Sequence, residues 1–291
     1  MTSRQTVKRV LSSAAIGLVI TVTVACSPVK TLNALVPSND YQLHAYIAYG
    51  DLPRQKLDVY QPKQMIDKNK PPVVLFYYGG GWDAGDKADY KFVAEAFASS
   101  GFVAVIPDYR IYPEVVFPGF MEDPAKAAKW VKTHINEFGG DPDRVFLAGH
   151  SAGAHIAVML SLNKVYLGKE QLKPNDFRGT IGLAGPYDFL PLKSERLKEI
   201  FGPEDQRWKS QPIEFVTGNN PPMLLLVGLK DGTVGIHNTF NLAAKIKSKG
   251  GSVQVVEFPN YGHKEMVAKL AKPLRGNGEL LKPIAEFIRA H

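Results

Sequence analysis

Apolar positions along the chain fall into short continuous runs separated by longer stretches with helical spacing. Val73-Val74-Leu75-Phe76-Tyr77-Tyr78 is flanked by Pro-Pro and Gly-Gly-Gly, as a strand buried on both faces would be. The pattern then predicts a helix over Ala88–Ser100, a strand over Phe102–Ile106 and a long helix over Met121–Phe138 closed by Gly139-Gly140. It continues with a strand at Arg144–Gly149, a helix from Ala152, and strands at Gly179–Ala184 and Met223–Gly228. A helix over Thr239–Ser248, a strand over Ser252–Phe258 and a terminal helix near Leu280–Arg289 complete the series. Such alternation implies βαβ units, hence an α/β protein with a mostly parallel central sheet and helices on both faces. His44–Tyr49 and Lys56–Tyr60, joined by a short turn, would add an antiparallel edge. The alternation lapses over residues 163–178 and 189–222, the places where a small lid would be built.

The N-terminal segment follows a different pattern. A basic stretch ending at Arg9 precedes an uncharged run from Val10 to Ala25, 16 residues against the roughly 20 that span a bilayer. The run ends at Thr23-Val24-Ala25-Cys26-Ser27, and Cys26 is the only cysteine. This resembles the lipobox of bacterial lipoproteins, which implies lipidation of Cys26 and residence in the cell envelope. An uncleaved anchor or plain secretion is the alternative. Ser27 in place of Asp suits an outer-membrane destination by the same resemblance. The division expected is a signal over residues 1–25, a tether over 26–43 with Pro28 and Pro37, and one domain over 44–291. With a single cysteine, that domain contains no disulfide and relies on its core.

Composition narrows the classes. With 45% hydrophobic and 22% charged residues, the chain is neither disordered nor multi-spanning. The net charge of +7 includes three from Arg4, Lys8 and Arg9, and the rest is interleaved with acids, so no nucleic-acid partner is expected.

The chemistry concentrates in Gly149-His150-Ser151-Ala152-Gly153, a G-x-S-x-G sequence between a predicted strand and a predicted helix. A sharp strand-to-helix turn lifts a serine oxygen above the sheet, and the helix N-terminus favours the negative charge of acyl transfer. A nucleophilic Ser151 then needs an acid and a base later in the chain. Asp231, 80 residues on, follows the strand Met223–Gly228; His263, 32 residues further, sits in the loop after Ser252–Phe258. His237 lies too close to Asp231 in sequence to face it, and His291 is the last residue. After the strand Val73–Tyr77, Gly79-Gly80-Gly81 offers backbone N–H groups; those of Gly80, Gly81 and Ala152 are the candidate oxyanion donors. Trp82 and Tyr187 are candidate pocket residues, and Trp208 suits pocket or core equally. His150 and His155 have no carboxylate placed to complete a metal site, so neither metal nor cofactor is expected. Asp141-Pro142-Asp143 reads as a turn. Cys26 lies outside the domain and is no nucleophile.

These motifs carry a resemblance. Arg54-Gln-Lys-Leu-Asp58-Val-Tyr60, Pro107-Asp-Tyr-Arg110, Tyr112-Pro-Glu114, Phe138-Gly-Gly-Asp-Pro-Asp-Arg144 and Gly149-His-Ser-Ala-Gly-Ala-His155 together resemble α/β-hydrolases of the carboxylesterase group related to hormone-sensitive lipase. The similarity is strongest to bacterial feruloyl-esterase-like and arylformamidase-like enzymes and to isoprenylcysteine methylesterases. It implies a serine esterase acting on small acyl or aryl esters, with Ser151 as nucleophile, Asp231 as acid, His263 as base and no cofactor. The same machinery acting on a formamide or amide bond, or a binding protein without catalysis, are the alternatives. One departure stands out: the family has His before the three glycines, and here Tyr78 takes its place. That His organises the loop, and the tyrosine hydroxyl is its candidate substitute.

Overall fold

The structure, a computed structural model, describes residues 28–64 and 69–291. The expected signal and Cys26 lie outside the described residues. Eight strands form one sheet: β1 (Tyr41–Ala48), β2 (Lys56–Pro62), β3 (Val73–Tyr77), β4 (Val103–Pro107), β5 (Val145–His150), β6 (Gly179–Leu183), β7 (Met223–Gly228) and β8 (Val253–Phe258). Their order is β1-β2-β4-β3-β5-β6-β7-β8. The pairs β1–β2 and β2–β4 are antiparallel and all others parallel, the antiparallel edge expected from the sequence.

Burial follows position in the sheet. Every residue of β3, β4, β5, β6 and β7 is buried, whereas the edge strands β1 and β8 are mostly exposed or half-buried. A bulge between His44 and Ile47 bends β1, with Tyr46 at φ 57° donating its amide to Asp58.

The helices are α1 (Pro28–Ala34), α2 (Lys91–Ser99), α3 (Glu122–His134), α4 (Ala152–Leu162), α5 (Lys164–Lys169), α6 (Glu195–Phe201), α7 (His237–Ser248), α8 (Glu265–Ala268) and α9 (Leu281–Ala290). The structure refines the sequence expectation in several places. The helix expected to run to Phe138 tightens into a 3₁₀ turn at Ile135–Phe138, ended by Gly139 in the left-handed region at φ 77°. The segment expected as a tether is instead docked on the domain. Val29 and Leu32 of α1 pack on the core and Val36 is buried. Asn33 bonds the carbonyl of Ala88 and the amide of Phe92 at the start of α2. Strand β1 then begins at Tyr41, three residues earlier than the domain boundary expected at 44. The two lapses in the pattern hold α5 and a 3₁₀ turn at Pro174–Asp176 in the first. The second holds α6 and 3₁₀ turns at Glu204–Ser210 and Pro212–Phe215.

Candidate active site

Strands β3, β5, β7 and β8 run parallel, so the loops leaving their C-terminal ends share one edge of the sheet. Ser151 leaves β5 at φ 56° and ψ −122°, a backbone conformation that costs a non-glycine residue energy and is held by its surroundings. Its amide donates to Leu183 at the end of β6, and its carbonyl receives the amide of His155 in α4. The turn packs tightly enough to exclude side chains on both flanks. A methyl at Gly153 would lie 1.9 Å from the Tyr77 carbonyl oxygen, and one at Gly149 would lie 2.2 Å from that of Gly153. The glycines of G-x-S-x-G therefore let α4 start directly against β3.

The structure brings Ser151, His263 and Asp231 together. Ser151 Oγ lies 2.8 Å from His263 Nε2, and His263 Nδ1 lies 2.7 Å from Asp231 Oδ2. A carboxylate accepts only, so the shared proton sits on Nδ1 and Nε2 is left to accept from the serine hydroxyl. The second oxygen of Asp231 accepts the amides of Thr233 at 2.8 Å and Val234 at 2.9 Å. Burial pushes the Asp231 carboxyl up, but the bonds from His263 and the two amides outweigh it and hold the group below its ordinary value. Asp231 therefore remains a carboxylate facing the imidazole.

The glycine loop follows β3, and β3 pairs with β5 as far as Tyr77 opposite Gly149. Gly81 and Trp82 line the same cleft as Ser151, and Ala152 is buried in the first turn of α4. The loop is held from behind through its carbonyls. Tyr109 hydroxyl donates to the Tyr78 carbonyl at 2.7 Å, Tyr90 hydroxyl to that of Gly79 at 3.3 Å, and the amides of Asp83 and Ala84 to that of Gly80. Tyr78 is fully buried, its ring stacked between Tyr109 at 4.6 Å and Tyr90 at 5.4 Å. Asp108 and Tyr109 of the Pro107–Arg110 motif thus serve this loop, while Arg110 pairs with Asp123. The sequence showed the motif without showing that these residues meet Tyr78.

The cleft over Ser151 encloses about 590 Å³. Its walls come from Trp82, from Pro186, from Phe189 to Ser194, from Leu197, and from Thr233 to Gly235 with His237 and Asn238. Trp82 holds its expected place there, stacked with Phe189 at 5.9 Å. Tyr187 does not. Asn238 accepts its amide at 2.7 Å, and its side chain turns inward among Ala154, Val158 and Leu225. Phe189, two residues on, supplies the aromatic wall instead; nothing in the irregular sequence of this segment distinguished the two. Trp208 is half exposed and stacks on Phe215 away from the cleft. His155 is buried against Trp82 with Nε2 on the Ser210 carbonyl, and His237 reaches the Asp188 carbonyl at the rim.

Similar proteins agree with this architecture. Isoprenylcysteine alpha-carbonyl methylesterase of Arabidopsis thaliana is 28% identical over 86% of this chain and 62% of its own. Esterase LipC of Mycobacterium tuberculosis is 30% identical over 75% of this chain and 58% of its own. The chain thus spans about 60% of the length of these relatives. Among solved structures, esterase B of Lactobacillus rhamnosis superposes with a TM-score of 0.77 at 21% identity, covering 90% of this chain and 91% of that one. The mostly parallel sheet is that of the α/β-hydrolase fold, and the BD-FAE family profile matches residues 57–246. From β2 to α7, over residues 57–246, the chain belongs to the BD-FAE family.

Proposed function

We propose that the protein hydrolyses small carboxylic esters through an acyl-enzyme. The observation that carries this reading is the continuous contact Ser151–His263–Asp231, at 2.8 and 2.7 Å, with Ser151 at the floor of an apolar cleft. Ser151 Oγ attacks the ester carbonyl while His263 Nε2 takes its proton. Asp231 holds the imidazole in the required tautomer and stabilises the imidazolium. The amides of Gly80, Gly81 and Ala152 receive the carbonyl oxygen as it becomes an oxyanion. The tetrahedral intermediate collapses, His263 returns the proton to the departing alcohol, and the acyl group stays on Ser151. Water enters and attacks the acyl carbon while His263 takes its proton; the acid then departs as His263 returns that proton to Ser151 Oγ. No cofactor takes part in these steps.

The apolar walls at Trp82, Phe189, Leu192, Leu197 and Val234 suit a short-chain acyl or aryl group. The relatives named as esterases support ester chemistry, and the triad itself serves esters and amides alike. The deciding experiment is hydrolysis of p-nitrophenyl esters, acetate through decanoate, beside the matching anilides and an aryl formamide. Ester turnover that drops at least a thousandfold in Ser151→Ala is expected. Retention of most activity by Ser151→Ala overturns the reading, and preference for the amides or formamide moves the substrate class.

The site is proposed to work at the cell envelope, held by a lipid on Cys26. The uncharged run that ends in that lone cysteine supports this.

A further inference from the structure

His150 ends β5 immediately before Ser151, and the reaction as written gives it nothing to do. Its Nε2 lies 3.0 Å from the backbone carbonyl oxygen of His263. A carbonyl only accepts, so His150 carries its proton on Nε2 and leaves Nδ1 bare. That Nδ1 is buried without a hydrogen-bond partner, close under the glycine loop: a methyl on Gly79 would lie 3.1 Å from it. The His150 and His263 rings are 4.8 Å apart. Burial, and next the charge of His263, hold His150 down at about 3, against a smaller opposite pull from the carbonyl and Asp231. It is a neutral donor throughout the range in which an esterase works.

The backbone of His263 lies in a loop between β8 and α8. The other bonds across this turn go to its neighbours: Tyr261 donates to Phe258 and accepts from Lys230, and Gly262 is capped by Glu265. The His150 bond ties the main chain of His263 itself to the strand that carries Ser151. Since 2.8 Å separates Nε2 from the serine oxygen, a small drift of this loop would open the proton-transfer contact.

We propose that His150 is a positioning residue, whose Nε2–H holds the His263 carbonyl and so keeps the His263 imidazole between Ser151 and Asp231. The proposal rests on His263 being the base. Neutrality suits the role, because a second cation 4.8 Å from the imidazolium would disfavour the charge that His263 must take up.

The test compares His150→Phe, which removes the donor, with His150→Gln, whose amide N–H reaches a similar point. His150→Phe is expected to lower kcat about tenfold with KM within twofold, and His150→Gln to recover most of the loss. A second readout needs no substrate: the low-field proton NMR resonance of the His263 Nδ1–H held by Asp231. It should broaden or vanish in His150→Phe and persist in His150→Gln. Should His150→Phe unfold, His150→Met removes the same donor with a smaller side chain. Full kcat with an intact resonance in the donorless variant overturns the proposal, as does a Gln variant as impaired as the Phe one. A wild type inert toward every ester, but with the resonance behaving as expected, would fault the ester reading and leave the positioning role standing.

Discussion

The Tyr78 hydroxyl donates to Asp108 Oδ1 at 3.0 Å while accepting from Arg54 Nη2 at 2.8 Å, so that one phenol joins a buried carboxylate to a guanidinium. Asp108 also accepts the amide of Lys87, and Arg54 also donates to the carbonyl of Gly85. The result is a polar knot behind the glycine loop. Burial pushes the Tyr78 phenol far up, aided by Asp108 and opposed by Arg54, so it stays protonated and can only organise. Tyr78→Phe keeps the stacking but leaves Asp108 and Arg54 short of a partner. It should cost about 1–3 kcal/mol of stability and about tenfold in kcat, with KM little changed. Thermal unfolding and ester kinetics on the same preparation check this; unchanged kcat would show that the loop holds itself.

Gly80 and Gly81 make opposite demands on a side chain. At Gly80, φ is 137° and a methyl would lie 2.1 Å from the backbone oxygen of Ala84. At Gly81, φ is 60° and the nearest atom is 3.4 Å away, on the Asp83 side chain. Gly80→Ala should therefore abolish ester turnover, whereas Gly81→Ala meets only the left-handed backbone cost of about 1–2 kcal/mol and should keep a measurable rate. Equal loss in the two variants would remove the steric argument.

Phe189, and not Tyr187, faces the cleft over Ser151. Phe189→Ala should raise KM about tenfold for aryl or longer acyl esters and much less for acetate, since a lost aromatic wall matters only to a group that reaches it. Tyr187→Phe should leave kcat/KM within twofold. A chain-length series on the two variants decides the matter.

Two buried histidines make stability depend on acidity. Burial lowers His150 to about 3 and His155 to about 4, from an ordinary 6.5, with backbone carbonyl bonds pulling weakly upward. Between those values the unfolded chain binds protons that the folded chain refuses, so folding stability falls as pH falls below 6.5. Each contributes about 1 kcal/mol per pH unit between pH 6 and 5. Because His155 bonds only the Ser210 carbonyl through Nε2, His155→Gln keeps a donor while removing the titration. The difference in denaturation midpoint between wild type and His155→Gln should shrink from pH 6 to pH 5, the wild type losing more. A constant difference would place His155 outside the acid response.

The proposed envelope anchor has a direct assay. Radiolabelled palmitate fed to expressing cells should enter the wild-type protein and be absent from Cys26→Ser, which should also leave the membrane fraction. Labelling of both would exclude Cys26 as the acceptor.

Order along the chain was legible because short-range rules govern it. The buried runs at Val73–Tyr77 and Val145–Gly149, the glycines flanking Ser151, and the later positions of Asp231 and His263 all follow from strand burial and from what a strand-to-helix turn tolerates. Partner choice across the sheet was not legible, since it depends on which loops meet at one edge. Only the tertiary structure sets Tyr78 against Asp108 and Arg54, ties His150 to the His263 carbonyl, turns Tyr187 inward and Phe189 outward, and docks Pro28–Ala34 on α2. Each joins residues far apart in sequence, or turns on the path of an irregular segment, and neither hydrophobic periodicity nor motif spacing carries information about such distances. The sequence determined the strands, the elbow and the reactive residue types; packing decided which side chains hold them in place.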